Sequence, residues 1–500
     1  MPDTVARMLR EQARRRGDHP LLICDADRIG YAEAERRSAV LAASLIDLGA
    51  GKGTHVGLLY PNGTQFVVAM LAAARIGAVV VPFTTFGIAR DIHDQLVHAD
   101  VEIMLATASF RGRDFAAALR DLDDVAVPTL RRVLIDAQPA DAGDPALLRA
   151  MEDDVDGSDV LTIVYTSGTA SAPKGVVHTH AALIGHQRNL NTIRALTEDD
   201  RLFCNSPFFW IGGLAFGLLA TLVAGSTLVC STATDPDETL DLLEAVRPTL
   251  TNGYVAGIAH LARHPGIGGR DLSSMRRGNL YPIMAPQARP ADPELRHNML
   301  GMTEAGGVVL LSGDETDQPE HRRGSFGRAA PGFETKVVDE QGRPATGAGE
   351  LCIRGPYVMQ RYYKRSREEC FDANGWLHTG DLVRTDTDGF FYFIGRIGAM
   401  IKTAGADVSP AEVEKAIARV SGGSTAYVFG VPDQDRGQTV VAVVAADPET
   451  FDEPALRDAL KRELAAYKIP TRIVVLPQTQ IPLLASGKVD MNRLAAVARV

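Results

Sequence analysis

The sequence predicts a two-part α/β protein: a large N-terminal domain of layered α/β subdomains with a β-rich subdomain, and a small α+β domain at the C-terminal end. Three observations predict it. Through the first half, apolar runs of strand length alternate with helix-periodic runs, and Gly, Pro and Asn separate them, the pattern of layered and largely parallel sheets. From about Pro331 the pattern turns to strand, tight turn and strand. After Arg396 comes a unit of about a hundred residues, an ordinary domain size, with helices and strands mixed. A chain of 500 residues also exceeds one ordinary core. The boundary is expected just after Arg396, giving domains 1–397 and 398–500.

Each element has a local reason. Ala32 to Leu48 is helix-periodic and stops at Gly49, and His55 to Tyr60 reads as a strand ended by Pro61-Asn-Gly. Gln65 to Ile76 reads as a helix stopped by Gly77, with a strand over 78–81 behind it. Asp91 to His98 leads to a strand over 101–106. Pro128 to Gly157 reads as an irregular, acidic surface connection. Val160 to Tyr165 is an apolar run read as a buried strand. Leu202 to Thr234 carries no charged residue and is long enough to attract a membrane assignment. Its glycines and the missing basic flank favour a buried helix, a turn at Gly225-Ser226 and a buried strand over 227–230. Further on, strands are expected near Val337 and over 349–355, and Phe390 to Ile394 follows the hairpin turn Asp386-Thr-Asp-Gly389. Ser409-Pro-Ala-Glu412 combines an N-cap serine, proline at the first helical position and glutamate three residues on, so a helix starts there. Strands over 426–429 and 439–445, a helix over 453–466 and a strand over 472–476 complete the unit.

Composition excludes several classes. Hydrophobic residues at 45% and charged residues at 23% are those of a soluble globular protein. The net charge of −10 argues against a nucleic-acid surface. The five cysteines are scattered without a C-x-x-C pair, so neither a disulfide framework nor a zinc site is expected, and a reducing cytoplasm fits. No signal peptide is evident at the N-terminus. His178 and His180 alternate as if on one strand face, but no third ligand is visible and no metal is expected there.

The stretch Tyr165-Thr166-Ser167-Gly168-Thr169-Ala-Ser-Ala-Pro-Lys174-Gly175 carries the chemistry. Small side chains let backbone N–H groups approach an anion, and hydroxyls and one lysine add donors and charge, which is the chemistry of a polyphosphate cradle. It is not a Walker A loop, because Lys174 precedes a glycine and no Ser or Thr follows it. Three more segments follow in order: Gly301-Met302-Thr303-Glu304, Trp376-Leu-His-Thr-Gly-Asp381 with Gly395-Arg396, and Ser486-Gly487-Lys488-Val-Asp490.

With these motifs in this order, the chain resembles the adenylate-forming superfamily, and within it the acyl- and aryl-CoA ligases, from about Tyr31 to about Leu494. The resemblance implies ATP-dependent activation of a small-molecule carboxylic acid to an acyl-adenylate, release of pyrophosphate, and transfer to CoA. It implies that Thr166, Ser167, Gly168, Thr169, Lys174 and Gly175 hold the β- and γ-phosphates. Thr303 would touch the α-phosphate beside Gly301 and Met302, and Glu304 would bind Mg²⁺. It gives Asp381 the ribose hydroxyls, Arg396 the ribose and phosphate side, and Lys488 the substrate carboxylate and α-phosphate. In this branch the C-terminal domain is a mobile lid, and Ile401-Lys402-Thr-Ala-Gly405 lines the thiol channel after it swings. Trp210, Gly212, Gly213 and Leu300 are the expected substrate-pocket residues, with Trp210 alternatively a core residue.

The sequence departs from the family pattern at three places. Gly398 stands where a charged hinge residue is usual. Leu300 replaces the aromatic residue that stacks on adenine, and 276–297 is short and lacks the Gly-Gly-Ala-Pro-like turn of the pocket floor, as for a small or unusual acid. A stand-alone enzyme loading an acyl carrier protein, adenylation of a non-carboxylate such as nitrite, and a non-catalytic ATP-binding regulator stay as alternatives. The acid and the oligomeric state are not legible.

Overall fold

In the computed structural model of this protein, residues 3–120, 127–137, 143–166, 174–403, 406–433, 437–464, 466–484 and 487–499 are described. The chain divides into two compact units. Among the described residues, the first takes those up to 334 together with 354–375, and the second takes 335–353 and those from 376 on.

Two large sheets with their helices form most of the first unit, beside a three-stranded sheet (Leu300–Met302, Gly307–Leu311, Arg328–Ala329) and a two-stranded hairpin. The seven-stranded sheet runs Arg361–Tyr362, Lys174–Thr179, Val160–Thr166, Val79–Pro82, His55–Leu59, Ile103–Ala106 and Arg132–Ile135. Five of these strands are parallel, and the Lys174 and Arg361 strands are added antiparallel. The six-stranded sheet runs Arg277–Gly278, Leu250–Asn252, Arg201–Cys204, Thr227–Cys230, Pro20–Cys24 and Asp27–Gly30, parallel except for the last hairpin.

A main core lies between the sheets, filled by helices Tyr31–Asp47, Thr64–Arg75 and the segment Ile211–Ala224. The Thr64–Arg75 helix, TQFVVAMLAAAR, is apolar on every side and almost wholly buried. Phe66, Met70 and Leu71 each contribute about 1.5–3 kcal/mol of burial. Its one charge, Arg75, is also buried, and Glu152 and Glu35 pair with it.

The apolar stretch from Leu202 forms the expected buried helical segment, turn at Gly225 with φ +76° and strand Thr227–Cys230, preceded by a strand, Arg201–Cys204, that was not expected. Among the described residues, no helix is long and apolar enough to cross a membrane.

Two expectations are corrected. Residues 128–157 are not irregular throughout: Arg132–Ile135 is the edge strand of the seven-stranded sheet, and Pro145–Asp154 is a helix. An edge strand needs one partner and only a short apolar run, while Asp144 caps the helix with proline at its first position. His178 and His180 do not share a strand face, because the strand ends at Thr179 and His180 opens the helix His180–Ile193.

The second unit holds the strands Glu334–Val338, Ala348–Arg354, Leu377–Thr385 and Phe391–Arg396 in that order. Asp386 and Gly389, at φ +80°, turn the last two into the expected hairpin. A second sheet orders Ala406–Val408, Ile401–Thr403, Gly437–Ala445 and Thr425–Asp433, and Arg472–Leu476 pairs parallel to Gly437–Ala445. The helix Pro410–Val420 starts where its capping signals place it, with Ser409 Oγ accepting from Glu412 N.

Candidate active site

The antiparallel pairing of Val160–Thr166 with Lys174–Thr179 puts Thr166 opposite Lys174 and Tyr165 opposite Gly175, so both ends of the phosphate-type loop are fixed. Ser167, Gly168 and Thr169 lie outside the described residues. Gly175 is needed for packing: a Cβ there would lie 2.6 Å from Ile163 Cγ2. Its carbonyl accepts from Tyr363 N at 2.7 Å, and Val176 pairs with Tyr362.

Tyr362, which the sequence did not single out, joins two expected site residues. Its hydroxyl donates to Glu304 Oε1 at 2.8 Å, and Lys174 Nζ stands 5.5 Å from its ring centre. Burial and the Glu304 charge push the phenol far above its ordinary range, so it stays a donor. The second oxygen of Glu304 and the ammonium of Lys174 have no polar protein partner among the described residues. A free hard oxygen beside a lysine fits Mg²⁺ and phosphate.

The Gly301–Glu304 segment is held by groups with no chemistry of their own. His178 Nε2 donates to the Thr303 carbonyl at 2.6 Å, and Gln187 Nε2 donates to the Gly306 carbonyl at 3.1 Å. Met359 N donates to the Glu304 carbonyl at 2.8 Å. His178 is buried, and desolvation brings it down to about 4, so it is a neutral strut. Leu300, half-buried, pairs with Leu310.

Trp210 is half-buried and forms an aromatic wall with Phe209 at 5.9 Å, Tyr254 at 5.7 Å and Phe86 at 6.5 Å between ring centres. Asn62 holds this segment: its Nδ2 donates to Ser206 O at 3.0 Å and its Oδ1 accepts from Phe208 N at 2.7 Å. Gly213 is sterically required, since a Cβ would fall 2.0 Å from the Pro207 carbonyl oxygen, whereas Gly212 is under no such constraint. Leu214–Leu219 continues as a π-helix, a form frequent at functional sites. Beside the wall lies a cavity of about 180 Å³, bordered by Phe86, Phe110, Phe209 and Tyr254, with Arg111 and His260 also on its lining. At the shortened stretch, Arg277–Gly278 ends the six-stranded sheet, and Asn279 exchanges hydrogen bonds with the Gly253 backbone. Single 3₁₀ turns then lead to Leu300.

In the second unit, Asp381 and Arg396 are register partners, and Arg396 Nε donates to Asp381 Oδ1 at 2.8 Å. Asp381 is buried while the Arg396 side chain is 63% exposed. Gly380, at φ +72°, donates its N–H to Glu350 Oε1 at 2.9 Å, and His378 Nδ1 meets Glu350 Oε2 at 2.7 Å. Glu350, also missed in the sequence, thus fixes the turn before Asp381. Lys402 sits on the strand Ile401–Thr403 opposite Asp407, and Ala404 and Gly405 lie outside the described residues. Gly398 has φ +84°, a left-handed conformation that disfavours a charged L-residue. Exposed Lys488 closes a turn in which Leu484 N donates to its carbonyl at 2.7 Å, and Gly487 has φ +79°. Asp490 is not chemical: it caps the helix Met491–Arg499 through Asn492 N and Arg493 N.

Comparison with known proteins shows the family. Residues 9–363 match the family described as AMP-binding enzyme, and residues 412–488 match the AMP-binding enzyme C-terminal domain. A Mycobacterium tuberculosis protein named 3-[(3aS,4S,7aS)-7a-methyl-1,5-dioxo-octahydro-1H-inden-4-yl]propanoyl:CoA ligase is 33% identical, with 98% of each chain covered. A feruloyl-CoA synthase of an Amycolatopsis species is 31% identical, with 92% of each covered. The crystal structure of an anthranilate CoA ligase in complex with anthranoyl-AMP has the same fold, with a TM-score of 0.84 over 100% of this chain and 98% of that one, at 22% identity. The layered body with its anchored phosphate-type loop is that of an adenylate-forming enzyme. The chain belongs to the AMP-binding enzyme family, and it is an AMP-forming acyl-CoA ligase whose cosubstrates are ATP and CoA.

Proposed function

We infer that this ligase activates a compact, ring-bearing carboxylic acid. The observation that carries the reading is the cavity of about 180 Å³ beside Trp210, walled by Phe86, Phe110, Phe209 and Tyr254. Aromatic walls favour a ring, and the small volume disfavours a long chain. The fused-ring propanoyl, feruloyl and anthranilate groups in the relatives' names support it.

In the first step a carboxylate oxygen attacks the α-phosphorus of ATP, the bond to the β-phosphate oxygen breaks, and pyrophosphate leaves. In the second the CoA sulfur attacks the acyl carbonyl, the thiol proton is lost and AMP leaves. Thr166 and Lys174 hold the terminal phosphates, and Thr303 the α-phosphate. Glu304, kept in place by Tyr362, holds Mg²⁺. When bound, Mg²⁺ neutralises phosphate charge. Asp381 binds the ribose hydroxyls, Arg396 supports it, and Lys488 bridges carboxylate and phosphate in the first step. Lys402 and its strand serve the thiol step, and the 397/398 boundary is the hinge. The free state of all five cysteines supports a cytoplasmic site.

Substrate-dependent ATP–pyrophosphate exchange, run with ring-bearing, straight-chain and amino acids with and without CoA, tests the reading. Exchange and CoA-dependent thioester are expected with ring-bearing acids. Preference for a long straight chain overturns it.

A further inference from the structure

The strands Ala348–Arg354 and Leu377–Thr385 bring three metal-ligating side chains together. Glu350 and Cys352 stand two residues apart on one strand, so they share a face of the sheet. Cys352 is the register partner of His378 on the next strand. From the pair Glu350–Leu382 to the pair Cys352–His378, one strand advances two residues and the other four. The excess is a bulge, with Gly380 at φ +72°, and Thr379 Oγ1 pins it by donating to Leu351 O at 2.7 Å. Bulges re-aim side chains, and this one turns His378 back towards Glu350. His378 Nδ1 is the meeting point: it donates to Glu350 Oε2 at 2.7 Å and lies 3.5 Å from Cys352 Sγ. One ligand atom from each residue lies within 4.8 Å of the other two, and among the described residues no other three His, Cys, Asp or Glu side chains meet this closely.

The donor set and the spacing are those of a zinc-class ion. Thiolate and imidazole suit Zn²⁺ and disfavour Mg²⁺ and Ca²⁺, and a carboxylate is a usual companion ligand. Zn–S and Zn–N bonds of about 2.3 and 2.1 Å at a tetrahedral angle set sulfur and nitrogen about 3.5 Å apart. That is the separation of Sγ and Nδ1. The Nδ1–Oε2 contact has to open by about 0.6 Å, with the ion replacing the shared proton. Glu350 is braced for the role: its Oε1 accepts from Gly380 N at 2.9 Å and its Oε2 faces the cluster, as ligating carboxylates are themselves hydrogen-bonded. Cys352 is fully buried, whereas the His378 side chain is 43% exposed, so water has access from the histidine side. Sequence gives no sign of the cluster, because Cys352 and His378 are 26 residues apart and no C-x-x-C pair is present.

We propose that Glu350, Cys352 and His378 form a Zn²⁺ site, with water as the fourth ligand, that clamps the two strands at the turn before Asp381. On binding, the thiol proton passes to solvent and the imidazole proton moves from Nδ1 to Nε2, so one proton leaves per ion. Glu304, which holds Mg²⁺ in the reading above, belongs to the other compact unit.

The test takes the full-length protein, freed of metal with a chelator and kept reduced, and titrates it with Co²⁺ and then with Zn²⁺. One equivalent of Co²⁺ is expected to give the intense visible bands of a four-coordinate site together with a thiolate-to-cobalt charge-transfer band, and one equivalent of Zn²⁺ to bleach both. Cys352→Ser and Cys352→Ala are expected to lose the charge-transfer band, while Cys370→Ser, a change at the one cysteine that is not buried, keeps it. His378→Gln should weaken Zn²⁺ binding by more than the about 10–100-fold that loss of an outer-shell partner costs. Zn²⁺ should raise the thermal midpoint of the wild-type protein and leave that of His378→Gln in place. A pale six-coordinate Co²⁺ spectrum in the wild type overturns the proposal, and this readout holds even where a variant fails to fold. A charge-transfer band that survives both Cys352 changes overturns it too, as does a midpoint that Zn²⁺ raises equally in wild type and His378→Gln.

Discussion

Tyr362 donates its hydroxyl to Glu304 Oε1 at 2.8 Å while its ring lies beneath Lys174 Nζ at 5.5 Å. One side chain on a two-residue edge strand thus sets the spacing of a carboxylate and an ammonium far apart in sequence. A hydrogen bond to a charged group contributes about 1.5–3 kcal/mol. Tyr362→Phe is therefore expected to lower kcat/KM for ATP–pyrophosphate exchange by about tenfold. Glu304→Gln should cost more, and the double variant little beyond Glu304→Gln alone, because both changes break one contact. Fully additive losses would show that Tyr362 acts elsewhere.

The Asp381–Arg396 pair calls for a different probe. Arg396 Nε donates to Oδ1 of the buried Asp381 carboxylate at 2.8 Å. A carboxylate accepting from two ribose hydroxyls loses that strength as an amide, so Asp381→Asn is expected to raise the KM for ATP by about 10- to 100-fold. The penalty should disappear with 2′,3′-dideoxy-ATP, which has no hydroxyls to donate. If the variant is equally impaired with both nucleotides, Asp381 is a structural residue of the hairpin.

Much of this fold was legible because each element carries its own signal. Gly77 stops a helix, Ser409-Pro-Ala-Glu412 starts one, and the charge-free run from Leu202 places a buried helix and strand together. The site was legible where a motif is contiguous, as at Lys174 or Gly301–Glu304. It was not legible where a residue acts through distant partners. Tyr362, Asn62 and Glu350 sit in unremarkable local sequence, and only strand register or a tertiary turn gives them a role. The edge strand Arg132–Ile135 escaped for a related reason, since its one neighbour lies some thirty residues away.

Three buried histidines make the protein sensitive to acid. His178, His180 and His186 are each brought down to about 4, chiefly by burial. One ring nitrogen of each has no partner among the described residues, so a second proton has nowhere to bond. Between about pH 6.5 and 4 the unfolded chain binds protons at these sites that the folded chain does not. Stability is therefore fully present above 6.5 and falls as pH drops, by up to about 3 kcal/mol per histidine. The thermal midpoint should decline across that window. His178→Gln, which keeps a donor for the Thr303 carbonyl but cannot titrate, should make the decline shallower; an unchanged slope would refute the assignment.

Lys488 sits in a turn whose geometry gives a graded test of its role. Leu484 N donates to the Lys488 carbonyl at 2.7 Å, and Gly487 before it has φ +79°. Gly487→Ala strains this left-handed backbone by about 1 kcal/mol, which loosens the lysine without removing it. Lys488→Ala is expected to cut adenylation by about 100-fold or more, and Gly487→Ala by only a few-fold. A lysine that serves only the first step leaves the second intact, so thioester formation from a supplied acyl-adenylate should change little in either variant. Parallel loss of both half-reactions would mean that Lys488 supports the C-terminal unit as a whole, and the two-position lid would have to be given up.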